Sequence, residues 1–197
     1  MRVLGIDPGT VRTGWGIVQN DGQRLRGVAA GVIALRESET LELRLMAIFE
    51  GLSEVIATHA PTVCAVEDIF FAKYPAAAMK LGHARGVALV AAARGGLVVT
   101  AYPPALVKRT VSGRGNADKQ QVARMVGAML GWAELPSVDA TDALAVAITH
   151  LSAARLPSQL TTTLVRARVA ASSKNAPLPD ARASARAALD DRKKRSR

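Results

Sequence analysis

The chain has 197 residues, 26 Lys and Arg against 16 Asp and Glu, a net charge of +10, and 49% hydrophobic residues. That length and apolar share supply one full core and exclude a wholly disordered chain, while a single cysteine, Cys64, excludes an intramolecular disulfide framework. The charge is uneven: from Leu156 onward 10 basic residues face 3 acidic ones, against 16 and 13 before it, so the basic character that favours a polyanionic partner sits mostly in the tail.

The apolar run from Val3 to Ile6 reads as a short buried strand, over residues 2–7. It stops at Asp7-Pro8-Gly9, where Pro fixes φ and Gly allows a tight turn. Strands over 13–19 and 25–35 follow, the latter with Val28, Ala30, Val32 and Ala34 in alternation. A turn at Asn20-Asp21-Gly22 joins them, and the three segments form an antiparallel meander. Ser38 or Thr40 caps a helix over 41–59, whose apolar residues Leu41, Leu45, Ile48, Leu52, Val55 and Ile56 keep a helical period.

Pro61 ends that helix, and residues 63–67 read as a fourth strand closing in Glu67-Asp68. An aromatic and basic loop, Ile69 to Tyr74, leads into a helix over 76–94 rich in small residues. Residues 97–101 form a fifth strand. Pro103-Pro104 opens a short helix, a basic loop runs from Ser112 to Asn116, and helices follow over 118–130 and 138–154. This order predicts an α/β fold of the ribonuclease-H-like kind: a five-stranded mixed sheet flanked by helices, its first three strands antiparallel and the later two parallel. Residues 1–156 read as one ribonuclease-H-like domain. Residues 157–197, rich in Ala, Ser, Pro and Arg without an apolar stripe, read as a basic disordered tail.

The first strand leads directly from the N-terminus, Cys64 reads as a buried thiol, and the apolar stretch over 86–93 is too short to span a bilayer. These features set the expectation of a cytoplasmic protein.

Four carboxylates carry the chemistry. Asp7 ends strand one, Glu67 ends strand four, and Asp139 and Asp142 lie three apart on one face at the start of the last helix. Singly, each has an ordinary explanation: a turn-forming Asp, or acidic residues in a first helical turn. As a set, brought together by neighbouring strands and a helix packed across them, they would repel one another at great cost unless cations neutralise them. Oxygen-only ligands, without clustered Cys or His, point to Mg²⁺ or Mn²⁺, and two such ions suit phosphodiester hydrolysis. His59, His83 and His150 are scattered and form no Ser-His-Asp arrangement.

Four motifs in order make the pattern specific: Gly5-Ile6-Asp7-Pro8-Gly9-Thr10 with Thr13-Gly14-Trp15-Gly16; Val66-Glu67-Asp68-Ile69-Phe70; Lys80-Leu81-Gly82-His83-Ala84-Arg85-Gly86; and Val138-Asp139-Ala140-Thr141-Asp142-Ala143-Leu144-Ala145 with Ile148-Thr149-His150. Over residues 1–155 the chain closely resembles the bacterial RuvC Holliday-junction resolvases. The resemblance implies Asp7, Glu67, Asp139 and Asp142 as catalytic metal ligands, with Asp139 at a position where some members carry His. It implies a homodimer that uses Mg²⁺ to nick two strands of a four-way DNA junction symmetrically, leaving 5′-phosphate and 3′-hydroxyl ends, during recombination and repair. It also implies the partners RuvA and RuvB.

Phe70 and Phe71 follow Glu67, where an aromatic ring can stack on an unpaired base, and the resemblance selects Phe70 for the junction point. Lys73, Arg85, Lys108, Arg114 and Lys119 are candidate phosphate contacts, Lys108 and Lys119 matching lysines important in the family. The helix over 76–94 is more apolar than one sheet face needs and is the expected dimer interface. Two other readings compete: a lobe of an actin-like or sugar-kinase-like ATPase, which would need a second lobe and phosphate loop, and a non-catalytic junction-binding protein, which would not need all four carboxylates. If the tail contacts phosphates, removing residues 158–197 will weaken DNA affinity and flatten its salt dependence, while cleavage of a saturating junction persists; an unchanged salt slope in a binding titration excludes the tail as a phosphate contact.

Overall fold

The computed structural model describes residues 1–22, 24–68 and 75–154. Phe70, Phe71, Lys73 and the tail over 157–197 lie outside them. Three strands come first: β1 (Arg2–Asp7), β2 (Arg12–Asn20) and β3 (Leu25–Ala34). Then come α1 (Leu41–His59), β4 (Val63–Glu67), α2 (Pro75–Arg94) and β5 (Val98–Tyr102). Three helices close the order: α3 (Pro104–Ser112), α4 (Lys119–Leu130) and α5 (Val138–Ala154).

The five strands form one sheet in the order β3-β2-β1-β4-β5. β1 runs antiparallel to β2 and parallel to β4, and β5 runs parallel to β4. The expected meander and parallel extension are both present. β1 therefore lies at the centre, and its register pairs Ile6 with Val66, so the next residues, Asp7 and Glu67, emerge side by side at one sheet edge.

Side chains alternate across the sheet. Val3 of β1 faces a core shared with Val107, Val126, Leu144 and Ile148, from the helices α3, α4 and α5. Leu4 and Ile6 face the opposite core, with Ile48 and Leu52 of α1 and Ala84, Ala88 and Ala91 of α2. Gly5 and Asp7 share the parity of Val3, which places the Asp7 carboxylate on the α5 side.

Two local expectations differ in detail. The alternation in β3 is interrupted, because Ile17 pairs with Ala29 but Val18 pairs with Gly27. Val28 is the extra residue of this bulge and is exposed. Thr40, not Ser38, is the N-cap of α1, and its side chain makes no capping bond to the backbone. The α4 cap is built from the side chain: Asp118 Oδ1 accepts from Gln121 N at 2.8 Å.

α5 lies on the sheet with almost no side-chain spacer. A Cβ on Gly5 would lie 2.9 Å from Ala147 N, one on Gly16 2.7 Å from the Leu144 side chain, and one on Gly14 3.2 Å from Ala140 N. The carbonyls of Ala143 and Asp139 would be nearer still to Gly5 and Gly14. Ala140, Ala143 and Ala147 are fully buried in this contact. Glycine on the strands and alanine on the helix are thus both required for the backbone of α5 to come this close.

The expected consequence is steep intolerance. Gly5→Ala or Gly14→Ala forces α5 off the sheet and will cost about 3 kcal/mol or more, the upper range for overpacking. Gly82→Ala and Gly86→Ala, on α2 with open space in front of each, will not destabilise the isolated subunit and gain helix propensity instead. Urea denaturation of the four variants distinguishes a close-packed slot from a loosely held helix.

Candidate active site

A cleft of about 250 Å³ opens at the edge where β1 and β4 end. Asp7, Glu67 and Asp142 line it together with Lys108 and Lys119, and Val107, Val122 and Ala145 supply apolar wall. Five elements contribute: β1 and β4 bring the paired acids, α5 brings Asp142, and α3 and α4 bring the lysines.

The turn after Asp7 is pinned from inside. Thr13, fully buried, donates its hydroxyl to Gly9 O at 2.9 Å. Arg44 of α1 donates Nη1 to Thr10 O at 3.1 Å. The end of β4 is fastened similarly. Arg85 of α2 pairs with Asp68 at 3.2 Å and directs Nε at Glu67 O. Asp68 N donates to Tyr102 O at 2.8 Å, and Tyr102 Oη lies 2.9 Å from His150 Nδ1. Burial lowers the pKa of His150, which favours a neutral ring in a structural brace between β5 and α5.

The electrostatics are severe. Burial, then the neighbouring Glu67, push Asp7 up to about 8 from an ordinary 3.8. A protonated Asp7 donates to Glu67, so the pair shares one proton. Glu67 is itself raised by burial, against the lowering effects of that hydrogen bond and of Lys119 and Lys108. Asp142 is raised by burial and held down by Lys119, whose Nζ lies 3.5 Å from Oδ2. Carboxylates in a partly apolar cleft are thus compensated by a trapped proton and one lysine.

Asp139 belongs to the cluster by charge, adding to burial in raising the pKa of both Asp7 and Asp142, but its carboxylate is turned elsewhere. Its Oδ2 meets Arg12 Nε at 2.6 Å, and it does not line the cleft. With Asp139 turned to Arg12 and Asp142 to Lys119, no three His, Cys, Asp or Glu side chains among the described residues form a ready ligand group. The donor set still fits a hard divalent cation, because the cleft's acids are all oxygen ligands and their mutual repulsion already recruits positive charge.

The four expected basic residues among those described divide three ways. Lys108 and Lys119 line the cleft. Arg85 is built into the end of β4 through Asp68. Arg114 lies on a separate groove with Arg124. Sequence reading assigns no role to Arg12 and Tyr102, which act through partners distant in the chain, and places Thr13 in a motif without showing that it pins the Gly9 turn. The only local hint was the placement of Arg12-Thr13 directly after the Asp7 turn.

Residues 3–150 match the family described as crossover junction endodeoxyribonuclease RuvC. The chain belongs to the RuvC family. A RuvC from Sorangium cellulosum is 54% identical over 160 residues, covering 81% of this chain and 89% of that protein. Thermus thermophilus RuvC has the same fold, at 38% identity and a TM-score of 0.72, covering 79% of this chain and 96% of that one. The Thermus RuvC structure determined in complex with a Holliday junction substrate gives 39% identity and a TM-score of 0.74, covering 79% and 95%. The ribonuclease-H-like sheet of this chain is the RuvC sheet.

The Asp7 shift carries a sign that calorimetry can check. The folded chain keeps the Asp7 proton to about pH 8, whereas an unfolded Asp loses it near 3.8. The resulting stability is full below about pH 4 and is lost as pH rises through about 8. Asn stays neutral throughout. In EDTA, Asp7→Asn will melt above the wild type by a margin that grows between pH 4 and 8, up to about 1 kcal/mol per pH unit, and then levels. A margin independent of pH would show that Asp7 is not the buried acid.

Proposed function

We propose that this chain resolves four-way DNA junctions by metal-dependent hydrolysis, with Asp7, Glu67 and Asp142 as the ligands and Asp139 completing the set. The observation that carries the reading is the half-buried acid pair beside Lys108 and Lys119 in one cleft. Mg²⁺, two ions per site with Mn²⁺ as a substitute, would activate a water and stabilise the leaving oxygen.

The chain's own groups set the conditions for this chemistry. Lys108 and Lys119 draw a phosphodiester to the cleft mouth and hold it by charge. Val107, Val122 and Ala145 exclude water from one side and strengthen the field of the acids. As a metal ligand Asp7 would have to give up the proton it shares with Glu67, so cation binding would be coupled to proton release below about pH 8. Lys119, paired with Asp142, would be available to a DNA phosphate if a cation took its place. Phe70, with Phe71 and Lys73 beside it, is proposed for the junction point on the strength of the family motif.

Symmetric cutting needs two sites, and α2 suits the two-fold contact. Its outer face presents Met79 and Val90, 65% and 59% exposed, around Gly82 and Gly86, which have nothing in front of them. Exposed apolar residues flanking helical glycines favour close approach of a second copy. RuvA and RuvB are proposed partners through family membership. No helix among the described residues is long and apolar enough to cross a membrane, which is compatible with the proposed action on cytoplasmic DNA. Residues 157–197 are proposed as a basic appendage to the nuclease domain.

Denaturing-gel mapping of a synthetic four-way junction, each strand labelled in turn, is the test. Paired symmetric nicks are expected with Mg²⁺ and none with EDTA. Asp7→Asn will lose cutting and keep junction binding. Near wild-type cutting by Asp7→Asn would overturn the site, and absence of cutting by wild type with either Mg²⁺ or Mn²⁺ would overturn the function.

A further inference from the structure

On the outer side of α4, away from the catalytic cleft, lies a second and larger depression of about 470 Å³. Ser112, Arg114, Gln121, Arg124 and Met125 line it. We infer that this groove is a second DNA-backbone track, in which Arg124 and Arg114 grip phosphates of a junction arm outside the catalytic cleft. The inference rests on the nuclease reading above; it extends that reading to Arg124 and gives Arg114, a candidate phosphate contact in the sequence, a defined groove.

The lining chemistry selects the ligand. Ser, Gln and both Arg carry hydrogen-bond donors, and no carboxylate lines the groove. Arg114 and Arg124 make none of the ion pairs found among the described residues, whereas Arg12, Arg36, Arg85 and Lys119 each have an acidic partner. Two unpaired guanidinium groups facing one depression repel each other and call for an anion. The groove is an open surface with exposed arginines, not an enclosed pocket for one small ion. A polyanion with regularly spaced charges fits it, and guanidinium forks match phosphate oxygens.

Secondary structure links the groove to the cleft. Lys108 faces the cleft, and Ser112, one turn on along α3, faces the groove, its Oγ donating to Lys108 O at 2.6 Å. Asp118 caps α4 between the two, with Lys119 on the cleft side and Gln121, Arg124 and Met125 on the groove side. A backbone strand leaving the cleft past Lys108 and Lys119 therefore meets further cationic surface on the same two helices. Such contacts hold phosphates without reading bases, so they raise affinity for any arm sequence.

The experiment is a fluorescence-anisotropy titration of a labelled four-way junction in EDTA across a salt series, using the full chain. Arg124→Ala will lower the slope of log affinity against log salt by about 0.9, the share of one phosphate contact, and weaken binding at every salt concentration. Arg124→Lys will restore the slope, and Arg124→Glu will weaken binding further. Arg114→Ala provides an independent second variant, with thermal melting to verify that both fold. Wild-type slope and affinity in both alanine variants would overturn the groove. An unchanged slope with an altered sedimentation coefficient would also overturn it, by showing an interface between copies. Failure of the wild type to prefer a junction over duplex DNA counts against the nuclease reading instead, and a reduced slope for Arg124→Ala in that case would still support the groove as a backbone track.

Discussion

The approach of α5 to the centre of the sheet governs everything else in this domain. Backbone meets backbone there: Gly5, Gly14 and Gly16 leave a slot on β1 and β2, and Ala140, Ala143 and Ala147 fill it without spacing the helix away. An ordinary helix lies about 10 Å from the sheet it covers, a distance set by interlocking side chains. A helix seated lower brings the residue at its sheet-facing edge, Asp142, to the depth at which the strand ends present Asp7 and Glu67. The same contact that completes the core therefore assembles the acids, and neither can be adjusted without the other.

Assembling acids in this way opposes folding. Buried carboxylates raise one another's affinity for protons, and the resting domain answers with a shared proton on Asp7 and Glu67, Lys119 on Asp142 and Arg12 on Asp139. Each of these cations or protons is placed where a stronger positive charge would take over. Both lysines, Lys108 and Lys119, line the same cleft as the acids they offset. Repulsion between like charges is thus held in check by a proton, a lysine and an arginine drawn from three different elements.

Much of this was legible in the chain. The helix over 41–59 declares itself through Leu45, Ile48, Leu52 and Val55, and the buried strands over 2–7 and 63–67 end visibly in acids. Placing Asp7 beside Glu67 needs only the parallel pairing of their strands. What was hidden depends on partners remote in sequence or on small backbone adjustments. The β3 bulge at Val28 has no marker in an alternating run. The turn of Asp139 toward Arg12 could not be foreseen from helical spacing, which puts Asp139 and Asp142 on one face but does not say which cation each will find. Arg85 reads in the sequence as a candidate phosphate contact, and its ion pair with Asp68 stays hidden because it requires α2 to pack against the end of β4.

The order of elements along the chain has a further meaning for how the protein is made. Arg12 and Asp139, which tie the start of β2 to the start of α5, are 127 residues apart. β1, the central strand, is translated long before the helix that covers it, and its α5-facing side stays uncovered until residues 138–154 have left the ribosome. Contacts of such separation form late and slowly. A growing chain therefore holds its first acid without the cleft, which is completed only when the last helix of the domain has emerged.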